Sequence, residues 1–164
     1  MTIIEATSEH NEIFARWSLH GRLEERTCRP VMDGRRVPGD SGILVLAFCM
    51  NGNDLTELMG RVICFDFNSR NKSAEFGYIV NPDCRGRGMG SKMVAEALDH
   101  LFATSDLNKL YCQTGAFNTP SVRMLKKLGF NRDGILREHH ELDTVLWDDY
   151  IYSMLRSEWE KRLI

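Results

Sequence analysis

The stretch from Ala74 to Phe102, AEFGYIVNPDCRGRGMGSKMVAEALDHLF, constrains this chain more than any other. It divides into an apolar run closing at Val80, a turn through Asn81, Pro82 and Asp83, a glycine-rich segment from Arg85 to Gly90, and a helix-forming run. A strand therefore delivers the chain to a loop of backbone N–H groups at a helix N-terminus, where the first donors lack intrahelical partners and the helix dipole adds positive potential. Such a loop attracts anions, and the ligand it points to is a phosphate-bearing cofactor. Glycines at 86, 88 and 90 let the backbone approach that ligand closely and adopt positive φ.

The rest of the chain reads as alternating elements around this stretch. A short strand at Ile3 to Glu5 precedes a helix capped at Ser8, with Ile13, Phe14 and Trp17 on one face and an end near His20. From Gly21 to Gly42 the pattern weakens: Arg22, Arg26, Arg29, Arg35 and Arg36 mingle with Glu24, Glu25, Asp33 and Asp40, which describes a solvated loop or a grip for an anionic acceptor. Ile43 to Met50 and Leu58 to Phe67 are strands joined through Asn51-Gly52-Asn53-Asp54, and Lys72 to Val80 is the central strand. After Gly90, Met93, Val94, Ala97, Leu98, Leu101 and Phe102 step by three and four, which fixes a helix and its buried face. Lys109 to Ala116 is then a strand parallel to the central one, because a strand–helix–strand unit crosses over within one sheet. A helix opens at Asn118-Thr119-Pro120-Ser121, with Thr119 as cap and Pro120 at the first helical position, and Gly129 stops it. Strands near Asn131 to Glu138 and Val145 to Leu155 and a short charged helix complete one α/β domain.

Bulk properties narrow the function. The chain has 164 residues, enough for one core without metal or disulfide staples. Its 21 basic residues are outnumbered by 23 acidic ones, so no nucleic-acid partner is expected, and no apolar run approaches the ~20 residues of a membrane-spanning helix. The start carries no basic, apolar leader, so a cytoplasmic location is expected. Five cysteines, none spaced as CxxC, suggest neither a disulfide framework nor a metal site.

The loop fails the dinucleotide pattern G-x-G-x-x-G, because Ser91 and its surroundings break the spacing, and Lys92 lacks the setting of a Walker lysine. What remains is R-x-x-G-x-G from Arg85 to Gly90. With Asn118-x-x-Ser121, the helix ending Lys127-Leu128-Gly129-Phe130 and the following Asp133-Gly134-Ile135-Leu136-Arg137-Glu138, the chain resembles the GNAT superfamily of N-acetyltransferases. The tail is similar to that of its RimJ/RimL branch. The resemblance covers Lys72 to about Trp159 and the element order before it.

That resemblance implies a mixed, mostly antiparallel central sheet with a splayed parallel strand pair, flanked by helices. It implies acetyl-coenzyme A as cosubstrate, no metal, and a primary amine as acceptor, either a protein N-terminus or a small molecule; it leaves room for a homodimer. Ile79 and Val80 would offer backbone groups to the pantetheine arm, and the N–H groups of Arg87, Gly88, Met89, Gly90 and Ser91 would take the pyrophosphate, with Arg85 at the rim. Asn118 would hydrogen-bond the arm or hold its strand apart, while Lys126 and Lys127 either reach a phosphate or form a solvated face. Direct attack by a neutral amine needs a base, a donor for the developing oxyanion, and a proton for the leaving thiolate. Glu75 is the candidate base, with Glu138 and Glu141 as alternatives, against a simple cross-strand carboxylate. Val80 N–H is the oxyanion donor, and Ser121 is the candidate acid, against helix-start hydrogen bonding. No tyrosine follows Asn118 in the position many relatives use; Tyr150 or Tyr152 would have to substitute. His139 and His140 read as exposed, and Cys84 as a packed thiol. Acids at Glu138, Glu141, Asp143, Asp148 and Asp149 favour a cationic acceptor, the arginines between 22 and 36 an anionic one. A non-catalytic acyl-coenzyme A binding module is the other reading.

Overall fold

The computed structural model describes residues 1–19, 42–52 and 54–162. The arginine-bearing segment from Arg22 to Arg36 lies outside the described residues, and with it the expected anionic grip. Seven strands and four α-helices alternate along the described chain: β1 Thr2–Glu5, α1 Ser8–Leu19, β2 Leu44–Cys49, β3 Leu58–Asn68, β4 Ser73–Val80, α2 Met89–Thr104, β5 Lys109–Gly115, α3 Thr119–Lys127, β6 Asn131–Leu142, β7 Val145–Leu155 and α4 Arg156–Lys161. They form one sheet in the order β1-β2-β3-β4-β5-β7-β6, antiparallel except for β4 against β5. This is the expected α/β architecture with a single parallel pair.

Each face of the sheet carries its own core. The α2 stripe of Met93, Val94, Ala97, Leu98, Leu101 and Phe102 packs with Phe76, Leu110, Cys112, Leu125, Tyr152 and Trp159 on one face. Burying each large apolar side chain contributes about 1.5–3 kcal/mol, so this stripe anchors the glycine loop that precedes it. On the other face Phe14 of α1 packs with Val45, Ala47 and Ile63. Arg156, at the start of α4, joins the two ends of the α2–β5 crossover: its guanidinium donates to the carbonyls of Phe102, Ser105 and Leu107, each at 2.8 Å, and lies over the Phe102 ring.

Two helix caps fall one residue before their expected places. The first intrahelical bond of α1 runs from Asn11 N–H to the Thr7 carbonyl, so Thr7, not Ser8, is the cap, and its hydroxyl meets His10 Nδ1 at 2.7 Å. Asn118, not Thr119, caps α3: its side-chain oxygen accepts from Ser121 N–H at 3.3 Å, which moves Pro120 to the second helical position. The last hairpin is longer than expected. β6 continues to Leu142 through a bulge between Leu136 and His140, where Glu138 takes φ 49°, and turns through Asp143 and Thr144, both at positive φ.

Gly60 lets β3 sit under α2. A Cβ there would come 2.5 Å from both the Ile79 carbonyl oxygen and the Met93 sulfur. Gly60→Ala is expected to cost about 1–3 kcal/mol in urea unfolding, since a backbone carbonyl has to move.

Candidate functional site

β4 and β5 pair over only three positions, Ser73 with Lys109, Ala74 with Leu110 and Glu75 with Tyr111, and then part. Beyond that point each remains bound to its other neighbour, β4 to β3 up to Val80 and β5 to β7 up to Gly115. Alternation of the antiparallel ladder fixes which backbone groups face the gap. Asn81 N–H donates to the Met59 carbonyl at 2.8 Å, so 75, 77, 79 and 81 turn toward β3, and Phe76, Tyr78 and Val80 turn toward the gap. Ala116 N–H donates to the Asp148 carbonyl at 2.8 Å, so Gln113 and Gly115 face the gap from the other side. Ile79 therefore spends its backbone on β3, and Tyr78 joins Val80 in its place. Protein donors reach the gap-facing carbonyls of Val80 and Gly115. Arg85 Nε and Nη2 donate to the Val80 carbonyl at 3.1 and 2.7 Å, and Asn118 N–H donates to the Gly115 carbonyl at 2.9 Å.

At the open end of this gap lies the glycine loop. A short 3-10 turn, Pro82–Cys84, leads to Gly86 and Gly88 at φ 72° and 77°, and Gly88 is the left-handed N-cap of α2 with no side chain to close the helix. The first intrahelical bond is Lys92 N–H to the Gly88 carbonyl at 3.2 Å, which leaves the N–H groups of Met89, Gly90 and Ser91 ahead of it as anion donors. Gly90 permits close helix packing, since a Cβ would meet Val80 at 3.1 Å and Met124 at 3.4 Å. Arg87 is exposed beside the same terminus. The open N–H groups, the positive-φ glycines and the adjoining strand gap fit a pyrophosphate carrying an extended arm.

Behind the gap, on the face that carries α2 and α3, Tyr78 Oη and Ser121 Oγ are 2.5 Å apart. Ser121 is 8% exposed and starts α3 under the Asn118 cap. Glu75 is equally buried, at 7%, but side chains alternate along β4, so it projects from the opposite face. The two expected catalytic residues are thus not brought together; Ser121 has Tyr78 instead. Sequence reasoning missed Tyr78 because it sought a tyrosine after Asn118. The available signal was the two-residue period itself, which puts Tyr78 with Phe76 and Val80.

The remaining candidates sit elsewhere. Lys126 and Lys127 are exposed on the last turn of α3, and Glu138 and Glu141 are exposed on β6. Tyr152 is 1% exposed in the core, and Tyr150 lies under the Arg132 guanidinium at 4.7 Å. Cys84 is half-buried in the turn before the loop. Cys112, on β5, is buried, and desolvation together with the Glu75 charge pushes its thiol far above the ordinary value, so it is no nucleophile at neutral pH. Among the described residues no group of histidine, cysteine and carboxylate side chains could hold a metal, and no helix is long and apolar enough to cross a membrane.

The fold is shared with solved acetyltransferases. A spermidine N-acetyltransferase from Vibrio cholerae, crystallised with CoA and spermine, superposes with a TM-score of 0.81 over 97% of both chains at 19% identity. The chain belongs to the acetyltransferase (GNAT) domain family, whose pattern matches residues 5–131. It is similar to the uncharacterized N-acetyltransferase p20 of Bacillus licheniformis, 32% identical over 92 residues, and to the spermidine N(1)-acetyltransferase of Vibrio cholerae, 29% identical over 105 residues. These matches cover 56% and 64% of this chain and only 52% and 61% of the relatives' lengths.

Gly88→Ala places a side chain in the left-handed region and is expected to cost about 1–2 kcal/mol in urea unfolding. Gly134→Ala, with no atom within 4 Å of the added Cβ and no positive φ, is the control and is expected to lose nothing.

Proposed function

We propose that this chain transfers an acetyl group from acetyl-coenzyme A to a primary amine by direct attack within a ternary complex, in the manner of the RimJ/RimL branch that its Asn118-x-x-Ser121 helix and following tail resemble. The observation that carries this reading is the parting of β4 from β5 with an open helix N-terminus at its mouth. Acetyl-coenzyme A supplies the activated thioester. The N–H groups of Met89, Gly90 and Ser91 hold its pyrophosphate, with Arg85 and Arg87 beside them. Tyr78 and Val80 present gap-facing backbone groups to the arm in ladder fashion, and Val80 N–H is the donor for the developing oxyanion. Arg85, by bonding the Val80 carbonyl, holds that peptide in place. Ser121, hydrogen-bonded to Tyr78, donates the proton that the leaving thiolate takes up.

The acceptor is a cationic alkylamine. The named relatives that act on spermidine support this class, as do the carboxylates on the Glu75 face. Thiol release from acetyl-coenzyme A, screened over polyamines, aminosugars and peptide N-termini, tests the reading. Stimulation by a cationic amine is expected, and coenzyme A binding without release by any amine would favour a non-catalytic binding module. Ser121→Ala and Tyr78→Phe are each expected to lower kcat about 10- to 100-fold while leaving KM for acetyl-coenzyme A within about threefold.

A further inference from the structure

On the sheet face opposite Ser121, a buried carboxylate keeps one oxygen without a hydrogen bond to any described residue. Asp149 of β7 is 3% exposed; its Oδ2 accepts from Gln113 Nε2 at 2.5 Å, and its Oδ1 has no hydrogen-bond partner among the described residues. Facing Oδ1 is the imidazole of His140, on β6, with Nδ1 at 3.6 Å, just beyond hydrogen-bond length. Leaving a buried carboxylate oxygen unmatched forfeits its hydration without return, which calls for a reason beyond packing.

The position supplies one. Asp149 pairs with Gly115 of β5, the strand that borders the gap and carries Gln113, so Asp149 stands about one strand spacing, ~4.8 Å, from the gap edge, and His140, on β6, stands one strand further out and turns its ring back toward Asp149. Phe117 folds back over the end of β5: a Cβ on Gly115 would fall 2.3 Å from its ring. The same ring meets His140 at 5.0 Å and Trp147 at 5.9 Å, both edge-on, which gives the imidazole an apolar wall. Level along the strands also matters. Continuing the register of Glu75 with Tyr111 puts Tyr78 beside Thr114, between Gln113 and Gly115. Asp149, paired with Gly115, is therefore within one residue of the level of Tyr78, and His140, paired with Trp147, lies two residues further toward the open end with its imidazole turned back to Asp149. Glu75 lies three residues, about 10 Å, back toward the closed end.

Building on the acetyl-transfer reading above, we propose that His140, oriented by Asp149, is the base that takes the acceptor's proton, and that Gln113 is a positioning residue that locks Asp149. An Nδ1–H turned to Asp149 leaves Nε2 as the proton acceptor, and the carboxylate balances the imidazolium that forms. One proton passes from the acceptor ammonium to Nε2 and then to water, giving the neutral amine. As the C–N bond forms and the C–S bond breaks, the amine nitrogen passes a second proton to Nε2, free again after the first went to water, and Ser121 gives its proton to the leaving thiolate; water then takes the proton from His140 and returns one to Ser121 through Tyr78, so both groups end as they began.

Three readouts test this. His140→Ala is expected to lower kcat by about 10²- to 10⁴-fold with KM for acetyl-coenzyme A unchanged, and added 4-methylimidazole is expected to restore part of the loss. In the protein without cosubstrate, ¹⁵N NMR is expected to find His140 protonated at Nδ1, a preference that Asp149→Asn reverses. Wild-type kcat in His140→Ala, or loss without rescue together with a tautomer indifferent to Asp149→Asn, overturns the base role and leaves acetyl transfer standing. Absence of transfer by the wild-type protein with every amine overturns the acetyl-transfer reading, and this base with it.

Discussion

Three residue pairs hold the two halves of this sheet together, and everything functional follows from their being only three. β3 and β7 keep hold of β4 and β5 along their full lengths, so each strand follows the twist of its own half and the two part after Glu75 and Tyr111. Parting exposes a row of ladder donors and acceptors that a sheet would ordinarily consume, and buried backbone groups without partners are costly. Arg85 and the Asn118 turn satisfy the carbonyls of Val80 and Gly115 at the two sides of the gap. The gap thus has the form of a strand position, and on the proposed reading the glycine loop at its mouth receives the phosphate end of the ligand that fills it.

Division of labour across the sheet is the second consequence. Alternation sends Tyr78 to the face where α3 brings Ser121, and Glu75 and Gln113 to the face that carries Asp149 and His140. On the proposed mechanism, proton donation to the leaving group and proton removal from the acceptor are then separated by the thickness of the sheet, with a ligand in the gap reachable from both sides. Neither group could be assembled within one element: Tyr78 meets Ser121 from another element 43 residues away, and Gln113 of β5 joins His140 and Asp149 of the β6–β7 hairpin.

Local chemistry made much of this legible. The three glycines and the stripe from Met93 to Phe102 announced the loop and its helix, since both signals are carried by adjacent residues. Caps were legible only to within one position, because Thr7-Ser8 and Asn118-Thr119 each offer two capping side chains and the choice depends on which carbonyl takes the first helical bond. The span of β6 was hidden by its bulge, where Glu138 at positive φ breaks the alternation. Which backbone groups of β4 face the gap depends on the phase of its pairing with β3, which is why Ile79 was expected where Tyr78 stands. Asp149 was visible in the sequence as one acid among several that favour a cationic acceptor and His140 as an exposed residue; that they face each other depends on the β6–β7 register, and the sheet order that sets β7 beside β5 brings Asp149 next to Gln113.

The central claim is that the space between β4 and β5 is a strand position filled by the cosubstrate. Residue-resolved amide hydrogen exchange with and without coenzyme A tests it most directly. Added protection at Tyr78, Val80 and Met89 to Ser91, with little change at Gly77 and Ile79, whose N–H groups already face β3, is the pattern the account predicts. Protection confined to the loop, or spread equally over consecutive residues of β4, would contradict it.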